Sequence, residues 1–340
     1  MTAAERIMAV FTGEKPDRPP FALTLSLYGA RLINAPLARY YADPALYAQG
    51  QVRVAELVSP DVIFGPFALA LEAEAYGAEL LYHSDGPPMV RRHPFRSPRD
   101  AASLSPPAID TCPGLAYLRG SVRRLADHFC GSVPLAGVLT APVDLPAMLM
   151  GLDGWLETLL FEPALAETVL AAATEHFAAM VGALAAAGAA CIAIPLMLAN
   201  PTLVTPAVIS RSIVPPLARA FARTPIPIIL HHGGNPAMPF LPLMKALPNV
   251  AGFVIGPGDS FAEARSIVGE EKLLLGNLNG PVLNRLTPEQ AGARAAAILA
   301  DRRDDPHFVL ASSSADVPLD TPLETLLAVR AAVEGHGGGR

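Results

Sequence analysis

The stretch ILHHGGNP, Ile229 to Pro236, sets two imidazoles and a carboxamide around a double glycine. Imidazoles ligate metals or move protons near neutral pH, and a carboxamide both donates and accepts hydrogen bonds. An apolar run precedes the pair, so His231 and His232 stand at the end of a strand. Adjacent strand residues face opposite sides, so at most one ring points to a shared site while strand geometry lasts. His231 is placed there as a catalytic group, and His232 is a substrate-binding candidate. A metal would need at least two more ligands of the right type close by. Asp316 and the second histidine are candidates, but no thiolate stands near either end of the stretch. The structural alternative is a packed or capping histidine beside an exposed one, with Gly233 and Gly234 forming a positive-φ turn.

Other polar side chains fall at the ends of apolar runs. Tyr28 and Arg31 follow the first, Thr140 and Asp144 the third, and Asn200 the fourth; Asn277 and Asn279 end the seventh, and Ser312 to Ser314 with Asp316 end the eighth. From these, Asn235 and Asp316 join His231 as catalytic candidates. Tyr28, Arg31, Asn200, His232, Asn277, Asn279 and Ser314 are substrate-binding candidates. Asn277 and Asn279 alternate and so share a face, where they either meet a ligand or cap the next turn. Most of the set is neutral. Few carboxylates point inward, which argues against a two-carboxylate glycosidase. Neither a GxSxG elbow nor a Walker glycine loop occurs. Arg91, Arg92 and His93 form a basic cluster on a loop, read as a solvated face or as an anchor for a carboxylate.

These groups need a scaffold that gathers strand ends. Eight short, continuously apolar runs serve as strands: 19–26, 61–67, 133–142, 190–197, 225–233, 250–257, 272–279 and 307–314. Continuous rather than alternating apolarity marks parallel strands covered on both faces. Helices intervene. One opens with an Asp43 cap and Pro44, and three open with Thr-Pro at 205, 287 and 321. The repeat is that of an α/β chain forming a (β/α)8 TIM-type barrel, whose reacting groups gather at the carboxyl ends of its strands. Residues 68–132 hold a strand at ELLYHS and a long loop with too little helix for one unit, so the expectation is an insertion, a lid between strands two and three. Residues 1–335 are read as one domain and 336–340 as a flexible tail.

Composition removes other classes. Of 340 residues 51% are hydrophobic and 16% charged, with a net charge of −6, which suits a large core and not nucleic acid. No basic run exceeds two residues, so no polybasic membrane patch is present. Phe177 to Ala199 is long and uncharged, but Gly188 and Pro195 break it into helix, turn and strand rather than a membrane span. Three separated cysteines, Cys112, Cys130 and Cys191, fit a reducing cytoplasm, and the charged start does not read as a signal peptide.

Six stretches together resemble a known family: ERIMAVFTGEKPDRPP, ALEAEAYGAEL, ANPTLVTPAVISRSIVPPL, ILHHGGNP, LLLGNLNGP and SADVPLDTPLETLLAV. The chain is similar over nearly its full length to the uroporphyrinogen decarboxylase superfamily, and within it to the methylcobamide:coenzyme M methyltransferase branch. The resemblance implies a TIM-type barrel. In that branch it also implies a zinc ion held by His-x-Cys on the fifth strand and a Cys after the eighth, which activates an acceptor thiol for attack on a corrinoid-bound methyl group. Here the histidine falls on His231, but the two cysteine positions fall on Gly233 and Ala315. No zinc is therefore expected. The implied function is a zinc-less methyltransferase with a small-molecule methyl donor or acceptor and a corrinoid (methylcobamide, a cobalamin-type group) presented in trans by a partner corrinoid protein. His231 would orient or deprotonate the acceptor. Two alternatives stand: a cofactor-free decarboxylase of a carboxylated, tetrapyrrole-like substrate, and a non-catalytic tetrapyrrole- or corrinoid-binding barrel. The decarboxylase branch uses an arginine-rich start and an Asp after strand two; this chain has only Arg31 in the first region and GPFALAL in the second.

Overall fold

A computed structural model describes residues 1–103 and 105–337. Eight parallel strands form one sheet: β1 (Phe21–Ala22), β2 (Ile63–Phe64), β5 (Leu135–Val138), β6 (Cys191–Pro195), β7 (Ile228–His231), β8 (Val250–Val254), β9 (Leu273–Asn279) and β10 (Phe308–Ser313). Their order is β1-β10-β9-β8-β7-β6-β5-β2, a nearly closed (β/α)8 barrel. An antiparallel hairpin, β3 (Glu79–Leu81) and β4 (Met89–Arg92), stands apart from it. All eight expected strands are present. They are shorter than the apolar runs because each run's end bends into the loop that carries polar groups.

β1 and β2 complete the ring without a ladder. The Asp61 N–H donates to the Phe21 carbonyl at 2.8 Å, and the buried Asp61 carboxylate does the rest. It accepts from Arg6 Nη1 at 2.6 Å, Arg18 Nη1 at 2.7 Å and the Phe21 N–H at 2.9 Å. Arg6 also pairs with Asp17 at 2.6 Å, which holds the Asp17 carboxyl well below its usual range. The opening ERIMAVFTGEKPDRPP is therefore a clamp on the barrel floor. Its helix, Ala3–Thr12, starts with a Thr2–Glu5 capping box and ends at Gly13 in the left-handed region.

The outer helices follow the caps read from the sequence. Asp43 accepts from the Ala45 N–H to open Pro44–Val58, and Thr205 and Thr287 cap their helices. Thr321 is different: its hydroxyl is buried without a partner and the helix begins at Leu323. That helix runs to Gly337, so His336 and Gly337 are helical where a tail is expected, and 338–340 lie outside the described residues. The uncharged stretch resolves as helix Pro163–Ala187, a Gly188 cap and β6. Among the described residues this helix is the one long and apolar enough to cross a membrane, yet half of its apolar window is buried inside the protein.

The segment 68–132 corrects the sequence reading. It contains a 17-residue helix, Pro113–Phe129, which is the outer helix between β2 and β5. Its buried Leu115, Leu118, Val122 and Leu125 form a helical stripe that the intervening arginines obscure. What remains additional is the β3–β4 hairpin. It rests on the helix Leu145–Met150 after β5, through Phe95 N–H to Leu149 O at 3.1 Å and His93 Nδ1 to Met148 O at 2.9 Å.

Candidate functional site

The carboxyl end of β7 leaves strand geometry at once. Gly233 and Gly234 take φ of 64° and 86°, and the turn brings the two histidine rings together, stacked with centroids 4.7 Å apart. Alternation across the strand therefore does not separate them. His231 Nδ1 accepts the Gly233 N–H at 3.0 Å, which leaves its Nε2 to carry the proton of the neutral ring. Burial first, and His232 second, push the His231 pKa down to about 3. His232 is 1% exposed. Its Nε2 accepts the Ser314 N–H at 3.0 Å, so its Nδ1 carries the proton and donates to Asn235 O at 2.7 Å. Burial lowers its pKa too, although the Asn235 bond opposes this. A second proton on His232 would break the link to Ser314, so this ring ties β7 to β10 as a neutral imidazole.

The asparagines divide into two kinds. Asn200 Oδ1 accepts the Thr202 N–H at 2.9 Å and hydroxyl at 2.7 Å, so its Nδ2 is the donor to Asn235 Oδ1 at 2.7 Å. That orientation leaves the Asn235 NH2 without a hydrogen-bond partner among the described residues. On β9, Asn277 Nδ2 donates to Gly256 O at 3.1 Å and Asp259 O at 3.3 Å, fastening the loop after β8. Asn279, two residues on along the same face, has no side-chain hydrogen-bond partner among the described residues.

The loop after β10 crosses the mouth pinned at both ends. Ser314, at φ 77°, is tied to His232, and Asp316 Oδ2 accepts the Leu27 N–H at 3.2 Å. Burial raises the Asp316 pKa well above the usual carboxylate range. Its Oδ1 is buried without a partner, as is the hydroxyl of Tyr41. Tyr28 and Arg31 are engaged elsewhere. The Tyr28 hydroxyl donates to Thr321 O at 2.9 Å, and Arg31 Nη1 donates to Thr321 O at 2.6 Å and Leu319 O at 2.8 Å. Arg91 and Arg92 pair with Glu79 at 3.4 and 3.0 Å on the hairpin.

Several contributors carry no strong signal in the sequence. Asp144 accepts the Met197 and Leu198 N–H groups at 2.9 and 2.8 Å and sets the loop after β6; burial pushes its pKa up to about 7. Glu72, 1% exposed, accepts the Thr140 N–H at 2.7 Å and contacts His176 Nε2 at 3.1 Å, holding the end of β5. Met197 and Tyr41 read from the sequence only as apolar or core residues. A cavity of about 740 Å³ opens at the opposite end of the barrel, near Phe11, Asn249, Lys272 and His307. There Lys272 Nζ, His307 Nδ1 and Asn249 Nδ2 each bond a backbone carbonyl, as befits a stability face.

The family model for uroporphyrinogen decarboxylase (URO-D) matches residues 2–336. The chain belongs to the uroporphyrinogen decarboxylase family. Its relatives include a methylated-thiol–coenzyme M methyltransferase of Methanosarcina mazei, 24% identical across 98% of this chain and 90% of the relative. A methylcobamide:CoM methyltransferase MtaA of Methanosarcina barkeri is 24% identical across 97% of both chains. Among solved structures, a methyltransferase from Methanosarcina mazei superposes with a TM-score of 0.88 at 23% identity, over 98% of this chain and 99% of that one. A B12-independent methionine synthase from Shewanella sp. reaches 0.56 at 12% identity, over 86% and 88%. These two likenesses establish the barrel fold.

The zinc set implied by the methyltransferase branch does not fit the residues present. A Cβ built on Gly233 would lie 2.6 Å from the Leu196 carbonyl oxygen and 3.0 Å from Met197 Sδ. The space for a side chain at that position is thus already filled from β6. Ala315 offers no donor atom. Among the described residues no three His, Cys, Asp or Glu side chains converge as a metal site.

Proposed function

We infer that this family member is a methyltransferase that moves a methyl group to or from a corrinoid carried by a partner protein, without a zinc–thiolate site. One observation carries the reading: the mouth is neutral. Burial pushes the His231 and His232 pKa values down and the Asp316 pKa up, each towards its uncharged form, and hydrogen bonding rests on Asn235, Asn200 and Asn279. Methyl transfer needs alignment and exclusion of water far more than fixed charge. The full-length likeness to methyltransferases supports the same reading. The chain's own residues would hold and orient the small substrate, with the Asn235 amide and the His231 Nε2–H as donors. His232 and Asp144 fix the loops that present them.

The decarboxylase alternative draws less support. It needs cations for carboxylates, and Arg31, Arg91 and Arg92 are committed to backbone carbonyls or to Glu79. The test is incubation of the purified chain with a methyl-corrinoid protein and candidate acceptors, and with the reduced corrinoid protein and candidate donors. The corrinoid spectrum reports methylation state. A change that requires this chain supports the reading. Carbon dioxide release from a carboxylated tetrapyrrole, or tight corrinoid binding without turnover, refutes it. A reducing cytoplasmic setting is consistent with three unpaired cysteines.

A further inference from the structure

Six of the twelve large hydrophobic side chains that stand exposed among the described residues lie on two neighbouring elements, the β3–β4 hairpin and the helix Leu152–Phe161. In the hairpin the Leu80–Val90 pair packs inward against the cluster that holds Ala73 and Leu149. The adjacent Leu81–Met89 pair therefore faces out, and Met89 is 58% exposed. In the helix Trp155 and Leu159 face in, and Trp155 Nε1 donates to Val143 O at 2.9 Å. Asp153, Glu157 and Phe161 recur every four residues along the opposite side, where Phe161 is 76% exposed. The two elements share one side of the molecule. His93 and Phe95, at the hairpin's exit, bond Met148 and Leu149, three residues short of the helix. A Cβ on the intervening Gly151 would lie 3.6 Å from the His93 ring.

Charge segregates across this boundary. The stretch MVRRHPFRSPR, 89–99, holds four arginines and no acid, whereas LDGWLETLLFE, 152–162, holds three acids and no base. Arg91 and Arg92 share the single carboxylate of Glu79. Arg99, Asp153, Glu157 and Glu162 form no ion pair among the described residues. An acidic partner or an anionic membrane would be repelled by the helix, and a basic partner by the hairpin. A positive patch beside a negative one is instead complementary to itself after a half-turn, as a two-fold contact requires.

We propose that this surface pairs two copies of the chain in a two-fold dimer, the basic hairpin of each lying on the acidic helix of the other, with Leu81, Met89 and Phe161 between them. Arginine, methionine and aromatic side chains are those enriched in protein interfaces. Pairing would also cover a two-stranded hairpin that is marginal alone in water and has both edges open. The inference is independent of the methyl-transfer reading.

Sedimentation velocity of the full chain over a range of concentrations reads the mass, which should reach twice 35.6 kDa. The dimer should come apart more readily in about 1 M salt, where screening acts within about 3 Å. Arg96→Glu with Arg99→Glu reverses the hairpin, and Asp153→Arg with Glu157→Arg reverses the helix. All four positions are exposed, so the fold should tolerate both pairs of changes. Each doubly substituted protein alone sets like charges against each other at both contacts and should dimerise about 100-fold more weakly or worse. Mixed together, the two should form a heterodimer about as tight as the parent dimer, a recovery that a folding defect cannot produce. Phe161→Ser should weaken the parent dimer about tenfold. A parent chain that stays monomeric at every concentration, a dimer indifferent to both reversals, or a mixture that stays monomeric overturns the proposal. So does a monomeric chain that binds a corrinoid protein through the hairpin alone, since the occupant is then not a second copy.

Discussion

Restoring the two sulfur positions should not restore a zinc site. The perturbation is Gly233→Cys with Ala315→Cys. At 233 the backbone sits at φ 64°, where an L-residue pays roughly 1–2 kcal/mol. The new Cβ would stand 2.6 Å from Leu196 O and 3.0 Å from Met197 Sδ. Only the methionine can swing aside, because the carbonyl belongs to the segment leaving β6. Overpacking of this kind adds about 1–3 kcal/mol. The sum is about 2–5 kcal/mol, or a fall in Tm of about 4–10 °C at about 2 °C per kcal/mol. Ala315→Cys alone, at an exposed position, should stay within about 0.5 kcal/mol of the parent. Differential scanning calorimetry of the three proteins, with zinc measured by elemental analysis, reads both effects. A double variant as stable as the parent that binds one zinc per chain would refute the steric argument and return this mouth to metal chemistry.

Further outcomes follow from the same geometry. Asp61→Ala leaves Arg6 and Arg18 without their shared buried partner and should cost about 3–5 kcal/mol in urea unfolding. Arg31→Ala should lower stability by about 1–2 kcal/mol yet leave ligand affinity at the mouth unchanged; a selective rise in KM would place Arg31 in binding after all. For His231 the folded pKa lies below the unfolded one. Its contribution is therefore whole above about pH 6.5 and lost as pH falls towards about 3. Allowing for partial exposure, the His231→Gln variant should lose about 1–3 kcal/mol less than the parent between about pH 7 and about pH 4. Asp144 has the opposite sign: its folded pKa of about 7 is raised, so it stabilises most at low pH and progressively less as pH rises to about 7. Asp144→Asn should flatten that limb of the stability profile.

Periodicity exposed the barrel because both faces of each strand are covered, which writes strands as uninterrupted apolar runs such as CIAIP and IILH. The helix Pro113–Phe129 was hidden because Arg119, Arg123, Arg124 and Asp127 break its apolar stripe when read linearly. Strand-end position gathered His231, Asn235 and Asn200 into one candidate set, but not their pairing, since the Asn200–Asn235 bond joins loops of different strands. Nor could alternation foresee the stacked histidines, because it lapses at the positive-φ glycines that follow them. Tyr28 and Arg31 looked available in the sequence; only the return of the 319–321 segment reveals what occupies them. The isolation of Asp316 Oδ1 is a property of surroundings drawn from three separate stretches, and no local pattern encodes it.

The first and last members of the ring, β1 and β2, are held by side chains rather than by a ladder. Asp61 clasps them at the floor, and at the mouth Ser26 Oγ receives the Phe67 N–H at 2.8 Å while Tyr47 bridges Ser26 and the Phe64 carbonyl. Widening any other joint of the hoop means unzipping consecutive main-chain bonds. Widening this one means releasing a hydroxyl and a phenol beside Asp316, with the ionic clasp below acting as the hinge pin. Ser26→Ala removes the hydroxyl that joins these contacts, so it should loosen this joint before any other.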